Sequence, residues 1–346
     1  MTPVTTIANL MDLLQRSKLL PAPRMLTLWD VSVTCSTPQE LACWLVKRRW
    51  LTAWQATQLL AGHHRLHVGK FELLDFLGKG GMGLVFKAEC PPIHRSVALK
   101  VVTMEGIHGQ RKRMDRFLRE IRAAAVLHHP NIVTALDADF ADGCCFLVME
   151  LFDGRDLTVW QRRHVRLPVS WSCEVARQIA LGLQHAHENH MVHRDIKPAN
   201  ILVAGKHVAD MPHAKILDFG LARFISETAT EIDLTRTGVA MGTPDYMAPE
   251  QARNAKHADI RADIYSLGCT LFHLLTNRHP FPGHSVVQKL MARLETVPPL
   301  VSSLRREAHP RLDDLVARLL MRDPSSRPQT PGEVADELTN LLPKTR

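Results

Sequence analysis

Cysteine is scarce. The 346-residue chain has seven, scattered except for the adjacent Cys144 and Cys145, with no pair at zinc-ligand spacing. This excludes the disulfide framework of a small secreted scaffold, and reduced thiols in a cytoplasmic setting are the expectation. Long apolar runs are missing too. Nothing approaches the ~20 residues that a membrane span requires, and the opening MTPVTTIANLMDLL places no basic segment ahead of an apolar one, so neither a span nor an export signal is expected. Internal repeats and low-complexity stretches are absent, which argues against a solenoid.

What is present suits a folded protein: 45% hydrophobic and 23% charged residues, close to the globular average, in a length that leaves room for two or three domains. The formal charge of +8 invites a nucleic-acid reading, but much of it is local. Residues 1–70 hold eight Lys or Arg (Arg16, Lys18, Arg24, Lys47, Arg48, Arg49, Arg65, Lys70) against three acids (Asp12, Asp30, Glu40), a balance of +5. Lys47-Arg48-Arg49 falls in a helical pattern, where a solvated face is expected, and no nucleic-acid partner is predicted.

Residues 1–67 read as a small helical module. Thr37-Pro38-Gln39-Glu40 combines an N-cap, a first-turn proline and an acid three residues on, followed by Leu41, Trp44 and Leu45 at helical spacing. Thr52-Ala53-Trp54-Gln55 is a second capping box, and Gly62 suits a left-handed cap for the helix it opens. The module has no phosphate loop and no acid/base constellation. His63, His64 and His67 lack nearby Cys or acids and read as solvent-facing.

After residue 70 come strand-like segments, FELLDFL, LVFKAE, SVALKVV and CFLVMEL, interrupted by a helical stretch from about Met114 to Leu127. From Val169 onward helices dominate, as in Val175 to His187, Ile264 to Leu275 and Leu312 to Leu320. The expected class is α+β: a β-rich lobe at 68–151 with one helix, then a helical lobe at 155–342.

Leu77 precedes Gly78-Lys79-Gly80-Gly81-Met82-Gly83-Leu84-Val85, a G-x-G-x-x-G-x-V run. Its glycines let backbone amides approach polyphosphate oxygens without Cβ obstruction. Strand-type residues follow them, so the run predicts a hairpin over phosphates rather than a dinucleotide-binding turn. Lys100 ends the apolar strand Val97-Ala98-Leu99, and Glu120, about 20 residues on in RFLREIRAAAVL, stands at the spacing of an ion pair that fixes the lysine against phosphates. Then come His193-Arg194-Asp195-Ile196-Lys197-Pro198-Ala199-Asn200 and Asp218-Phe219-Gly220.

With these motifs in order, the chain resembles the eukaryotic-type protein kinases from Gly78 to Arg327. The bilobal kinase fold is implied, with residues 218–250 as the activation segment. By the same resemblance Asp195 is the catalytic base, Lys197 neutralises charge on the transferring phosphoryl group, and Asn200 and Asp218 hold Mg2+, or Mn2+ in its place, on ATP. Met149 resembles the gatekeeper, Glu150 and Phe152 present backbone groups to adenine, and Val85 and Ala98 roof the ring. Glu250 is expected to pair with Arg327, and Asp263 to tie the catalytic loop to the following helix. The D-I-K-P-x-N form and Thr243 in GTPDYMAPE imply Ser or Thr acceptors on protein substrates. LGKGGMG and HHPNIV are similar to bacterial serine/threonine kinases, and LTAWQATQLLAG to the N-terminal module of planctomycete members.

A pseudokinase scaffold would require loss of Lys100, Asp195, Asn200 or Asp218, and all four are present. A small-molecule phosphotransferase usually lacks the whole GTPDYMAPE segment. The module is expected to dock on the kinase or on a partner. Arg194 before the base implies a basic pocket for an activation-segment phosphate, with Thr235 and Thr237 as acceptors ahead of the weaker Thr228 and Thr230, and a homodimer would serve trans-autophosphorylation.

Overall fold

The computed structural model describes residues 3–80, 83–90, 94–103, 118–119, 121, 123–219, 244–254 and 258–342. Backbone contacts divide the chain into two units, residues 1–110 with 136–151 and residues 111–135 with 152–346.

The first unit begins with four helices: α1 (Ile7–Ser17), α2 (Ala22–Ser32), α3 (Pro38–Lys47) and α4 (Ala53–Leu60). Each start has a local cause. Thr6 Oγ1 accepts from Asn9 N at 3.2 Å and Thr37 Oγ1 from Glu40 N at 3.2 Å, while Pro21 precedes α2 in extended geometry. At α4 both halves of the capping box form, and Gly62 follows the helix at φ 91°. Leucines at i, i+3 and i+4 spacing then meet in a common core: Leu10 and Leu14 of α1, Leu28 of α2, Leu41 and Leu45 of α3 and Leu59 of α4 are all buried.

A six-stranded sheet follows in the order β1-β2-β3-β4-β6-β5, formed by β1 (His67–Val68), β2 (Phe71–Gly80), β3 (Gly83–Cys90), β4 (Arg95–Thr103), β5 (Ala135–Ala141) and β6 (Cys144–Glu150). Asp142 and Gly143, at φ 54° and 81°, make the tight turn between β5 and β6, the conformation that Asp-Gly favours in two-residue hairpins. One face of this sheet packs Phe71, Leu73, Phe86, Ala88, Val97 and Leu99 into a second core, against which Trp54 of α4 also lies.

The second unit is built on α6 (Val169–Glu188) and α8 (Ile260–Thr276), which α5 (Leu157–Arg163), α7 (Pro249–Asn254), α9 (Val286–Glu295), α10 (Val301–Leu304), α11 (Pro310–Leu319) and α12 (Pro331–Leu341) accompany. Three short strands, β7 (Arg155–Asp156), β8 (Ile201–Ala204) and β9 (His213–Ile216), pair antiparallel. Helix α6 starts six residues earlier than its apolar spacing predicts, directly after Pro168. Gly268 lets α8 meet α11 closely, because a Cβ there would stand 2.7 Å from Leu319 Cβ. Residues 118–119, 121 and 123–124 are helical, within the predicted stretch. Among the described residues no helix is long and apolar enough to cross a membrane.

Candidate active site

In the second unit the loop from α6 to β8 carries His193 through Asn200. Its shape is fixed from α8. The fully buried Asp263 accepts from His193 N through Oδ2 and from Arg194 N through Oδ1, each at 2.7 Å. Two successive amides converge on one carboxylate, and Arg194 adopts φ 68°. Burial pushes the Asp263 pKa up, while these two backbone hydrogen bonds and the neighbouring His193 and Arg194 oppose the rise.

Asp195 is held on two sides. Its Oδ2 lies 2.7 Å from Lys197 Nζ and accepts from Asn200 Nδ2 at 2.9 Å, and Asn200 Nδ2 also donates to Asp195 O at 2.8 Å. With the side-chain Nδ2 donating there, Asn200 has its side-chain Oδ1 as an oxygen donor that could hold a hard cation such as Mg2+. Leu217 N donates to Asn200 O at 2.9 Å, which ties the segment before Asp218 to this loop.

The motif alone assigns no role to His193, and in the structure it is the hub. Its Nδ1 accepts from Asp195 N at 3.2 Å, so the ring proton belongs on Nε2, which donates to Leu217 O at 2.7 Å. Phe219 meets the same ring edge-on, with centroids 4.8 Å apart. Asp218, at φ 66°, therefore stands between two residues anchored on one imidazole, and its carboxylate adds a second oxygen donor suited to a hard divalent cation.

Residues 244–250 are anchored from below. Ser266 Oγ donates to Tyr246 O at 2.8 Å, Lys289 Nζ pairs with Asp245 at 2.7 Å, and Arg293 reaches Pro244 O. Arg327, whose side chain is fully buried, grips Glu250 with both terminal nitrogens at 2.6 and 2.9 Å and fills its remaining donors on the carbonyls of Arg261, Met321 and Arg322. Both expected scaffold contacts, of Asp263 and of Glu250 with Arg327, are present.

In the first unit Val85 pairs with Lys100 and Lys100 with Leu147, while Ala98 pairs with Met149 and Val97 with Glu150. Directly paired residues share a face and alternate residues return to it, so Val85, Ala98, Lys100 and Met149 line one side of the sheet. Lys100 is 3% exposed. On the hairpin, Gly80 pairs with Gly83, Lys79 with Leu84 and Gly78 with Val85. A Cβ on Gly83 would collide with Val101 O at 2.0 Å, whereas at Gly78 and Gly80 it would meet nothing within 4 Å. Among the described glycines of the run, internal packing thus demands glycine at Gly83 alone; at Gly78 and Gly80 the missing side chains leave backbone open to an approaching ligand. Leu77 and Leu84 stand exposed at the base and tip. Phe152 belongs to the second unit, where Lys215 Nζ lies 5.5 Å from its ring centre. Glu120, Gly81, Met82, Thr228, Thr230, Thr235, Thr237 and Thr243 lie outside the described residues.

The protein kinase domain family model matches residues 71–339. Serine/threonine-protein kinase pkn3 of Myxococcus xanthus is 35% identical over 78% of this chain and 49% of its own length. PknB of Mycobacterium leprae is 34% identical over 79% and 43%, and PrkC of Bacillus subtilis 33% identical over 80% and 41%. The chain thus spans less than half the length of these curated relatives. The crystal structure of the Mycobacterium tuberculosis PknI kinase domain superposes with a TM-score of 0.59 at 28% identity, over 79% of this chain and 96% of that one. With its carboxylate, lysine and asparagine loop and its glycine hairpin, the chain belongs to the protein kinase family, among relatives that are bacterial serine/threonine kinases.

Proposed function

We propose that the chain transfers the γ-phosphoryl group of ATP to serine or threonine hydroxyls of proteins, its own activation segment included. The observation that carries this is the Asp195 carboxylate held between Lys197 and Asn200 at hydrogen-bond distance. Asp195 orients the acceptor hydroxyl and takes its proton as the oxygen attacks phosphorus and the bond to the ADP oxygen breaks. Lys197 offsets charge on the moving phosphoryl group. Asn200 and Asp218 are the oxygen donors for Mg2+ or Mn2+, which when bound neutralises charge on the phosphates. In the first unit, the backbone from Leu77 through Gly78, Lys79, Gly80, Gly81, Met82, Gly83 and Leu84 covers the phosphates, and Lys100, steadied by Glu120, binds them. Val85, Ala98 and Met149 bound the adenine, with backbone groups of Glu150 and Phe152 at its edge.

Arg194 supports control by phosphate on Thr235 or Thr237, since its Nε is buried and has no partner among the described residues. Cytoplasmic action fits the seven free cysteines.

Asp195→Asn tests the reading. Turnover is expected to fall far below a tenth of wild type, more than ~1.4 kcal/mol of barrier, with ATP affinity retained, and phosphate found by mass spectrometry on Thr235 or Thr237 of the wild type should be absent from the variant. A variant that kept a tenth or more of the rate would remove Asp195 from the role of base.

A further inference from the structure

Helix α4 does more than end the helical module. The β2–β3 ladder is irregular twice, between Leu73 and Asp75 and between Phe76 and Gly78. On its other side β2 is paired by β1 only at Phe71 and Glu72, with Leu73 N adding a bond to Leu66 O at 2.8 Å. From there the α4 capping box takes over. Thr52 Oγ1 accepts from Gln55 N at 3.1 Å and donates to Leu74 O at 2.6 Å. Gln55, 1% exposed, accepts from Thr52 N at 2.8 Å through Oε1 and donates through Nε2 to Leu73 O at 2.9 Å and Glu72 Oε1 at 2.8 Å. Two successive β2 carbonyls at the first irregularity are thus held by one helix start, with every polar atom of the buried amide satisfied.

An aromatic relay continues from the same turn. Trp54 meets Phe86 with ring centres 5.7 Å apart, and Phe86 meets Phe76 at 5.7 Å. Phe76 immediately precedes the second irregularity and Gly78. Beyond it β3 goes on pairing with β4 at Val85 and Leu84, but the β2 arm has little besides β3 to hold it: Phe76 and Leu77 are exposed, and Gly78 and Gly80 touch no neighbour that a side chain would reach. An outer strand arm with so few buried contacts takes its order from its base.

We propose that Thr52, Trp54 and Gln55 are positioning residues for the glycine-rich hairpin, so that the helical module sets affinity for the triphosphate of the nucleotide. Holding β2 at Leu73 and Leu74 removes conformational freedom that this strand would otherwise lose on binding phosphates, and pre-ordering of that kind appears as tighter binding. This rests on the reading that the hairpin covers ATP phosphates.

The test uses the full chain with Thr52→Val, Gln55→Leu and Trp54→Ala, beside Thr52→Ser and, on the exposed face of α2, Leu26→Ser. The first three should raise KM for ATP about five-fold or more, a factor equivalent to ~1 kcal/mol, while kcat at saturating ATP holds, and Thr52→Ser and Leu26→Ser should match wild type. Affinity for a non-hydrolysable triphosphate analogue should weaken in parallel, and affinity for adenosine should not. Circular dichroism at the assay temperature accompanies each variant, and Thr52→Val keeps the test open where Gln55→Leu fails to fold. An unchanged KM in folded variants, a fall in kcat alone, or equal weakening for adenosine would overturn the proposal. A wild-type chain that binds the triphosphate analogue no better than adenosine would instead overturn the hairpin reading itself.

Discussion

His273 on α8 sits in an enclosed group with charged neighbours on several sides. Its Nδ1 meets the Tyr246 hydroxyl at 2.7 Å, and its ring lies 4.2 Å from that of His279. Burial, with His279 adding to it and Asp245 opposing, pushes the His273 pKa down to about 4. His279 is lowered too, chiefly by burial, with Lys289 and Arg293 of α9 acting in the same direction and Asp245 against them. The unfolded chain binds a proton near pH 6.5 that the folded one refuses until about pH 4, so stability is complete above 6.5 and is lost as pH falls through that window. Between about pH 7.5 and about pH 5.5, His273 alone should remove about 1 kcal/mol. Urea midpoints at the two pH values check this, and His273→Gln should flatten the slope; equal midpoints for wild type would contradict it. At this scale the sequence was informative where a residue stands inside a contiguous motif, as with Asp195, Asn200 and Asp263. It was silent on His273 and on the hub role of His193, since both depend on partners brought from distant segments.

Helix α8 is apolar on nearly every side, and Gly268 stands where α11 crosses it. An added methyl would stand 2.7 Å from Leu319 Cβ and 3.2 Å from Leu320 Cδ2, and neither the Leu319 Cβ nor its backbone can swing away. Overpacking costs roughly 1–3 kcal/mol, and the better helix propensity of alanine returns about 1 kcal/mol. Gly268→Ala should therefore lose about 1 kcal/mol, read as a lower urea midpoint at unchanged slope; a gain would mean that the crossing relaxes freely. The long helices and the main strands were legible because their apolar periods are long. Helix α2 was not delimited, because Leu28 is buried while Leu26, Trp29 and Val33 are 71%, 54% and 87% exposed, which puts apolar residues on both faces and erases the period. Strands β7, β8 and β9 span two to four residues each, too short for alternation to register.

Across the whole molecule, the kinase motifs could be read because each packs its chemistry into a few adjacent residues. The hold of the helical module on β2 could not, since the capping box at Thr52 and Gln55 is complete as a local signal, and its second set of partners lies 17 to 22 residues on. Trp54 belongs to both apolar clusters of the first unit, the helical one and the one on the sheet. One indole shared between two cores has a consequence for how the protein opens. Neither cluster can release its side of the ring without exposing the other's, so α3, α4 and β1 to β4 should form a single cooperative unit in native-state hydrogen exchange. Their slowest amides should report one common opening free energy with the same denaturant dependence, and Trp54→Ala should split that value in two, the helices exchanging ahead of the strands.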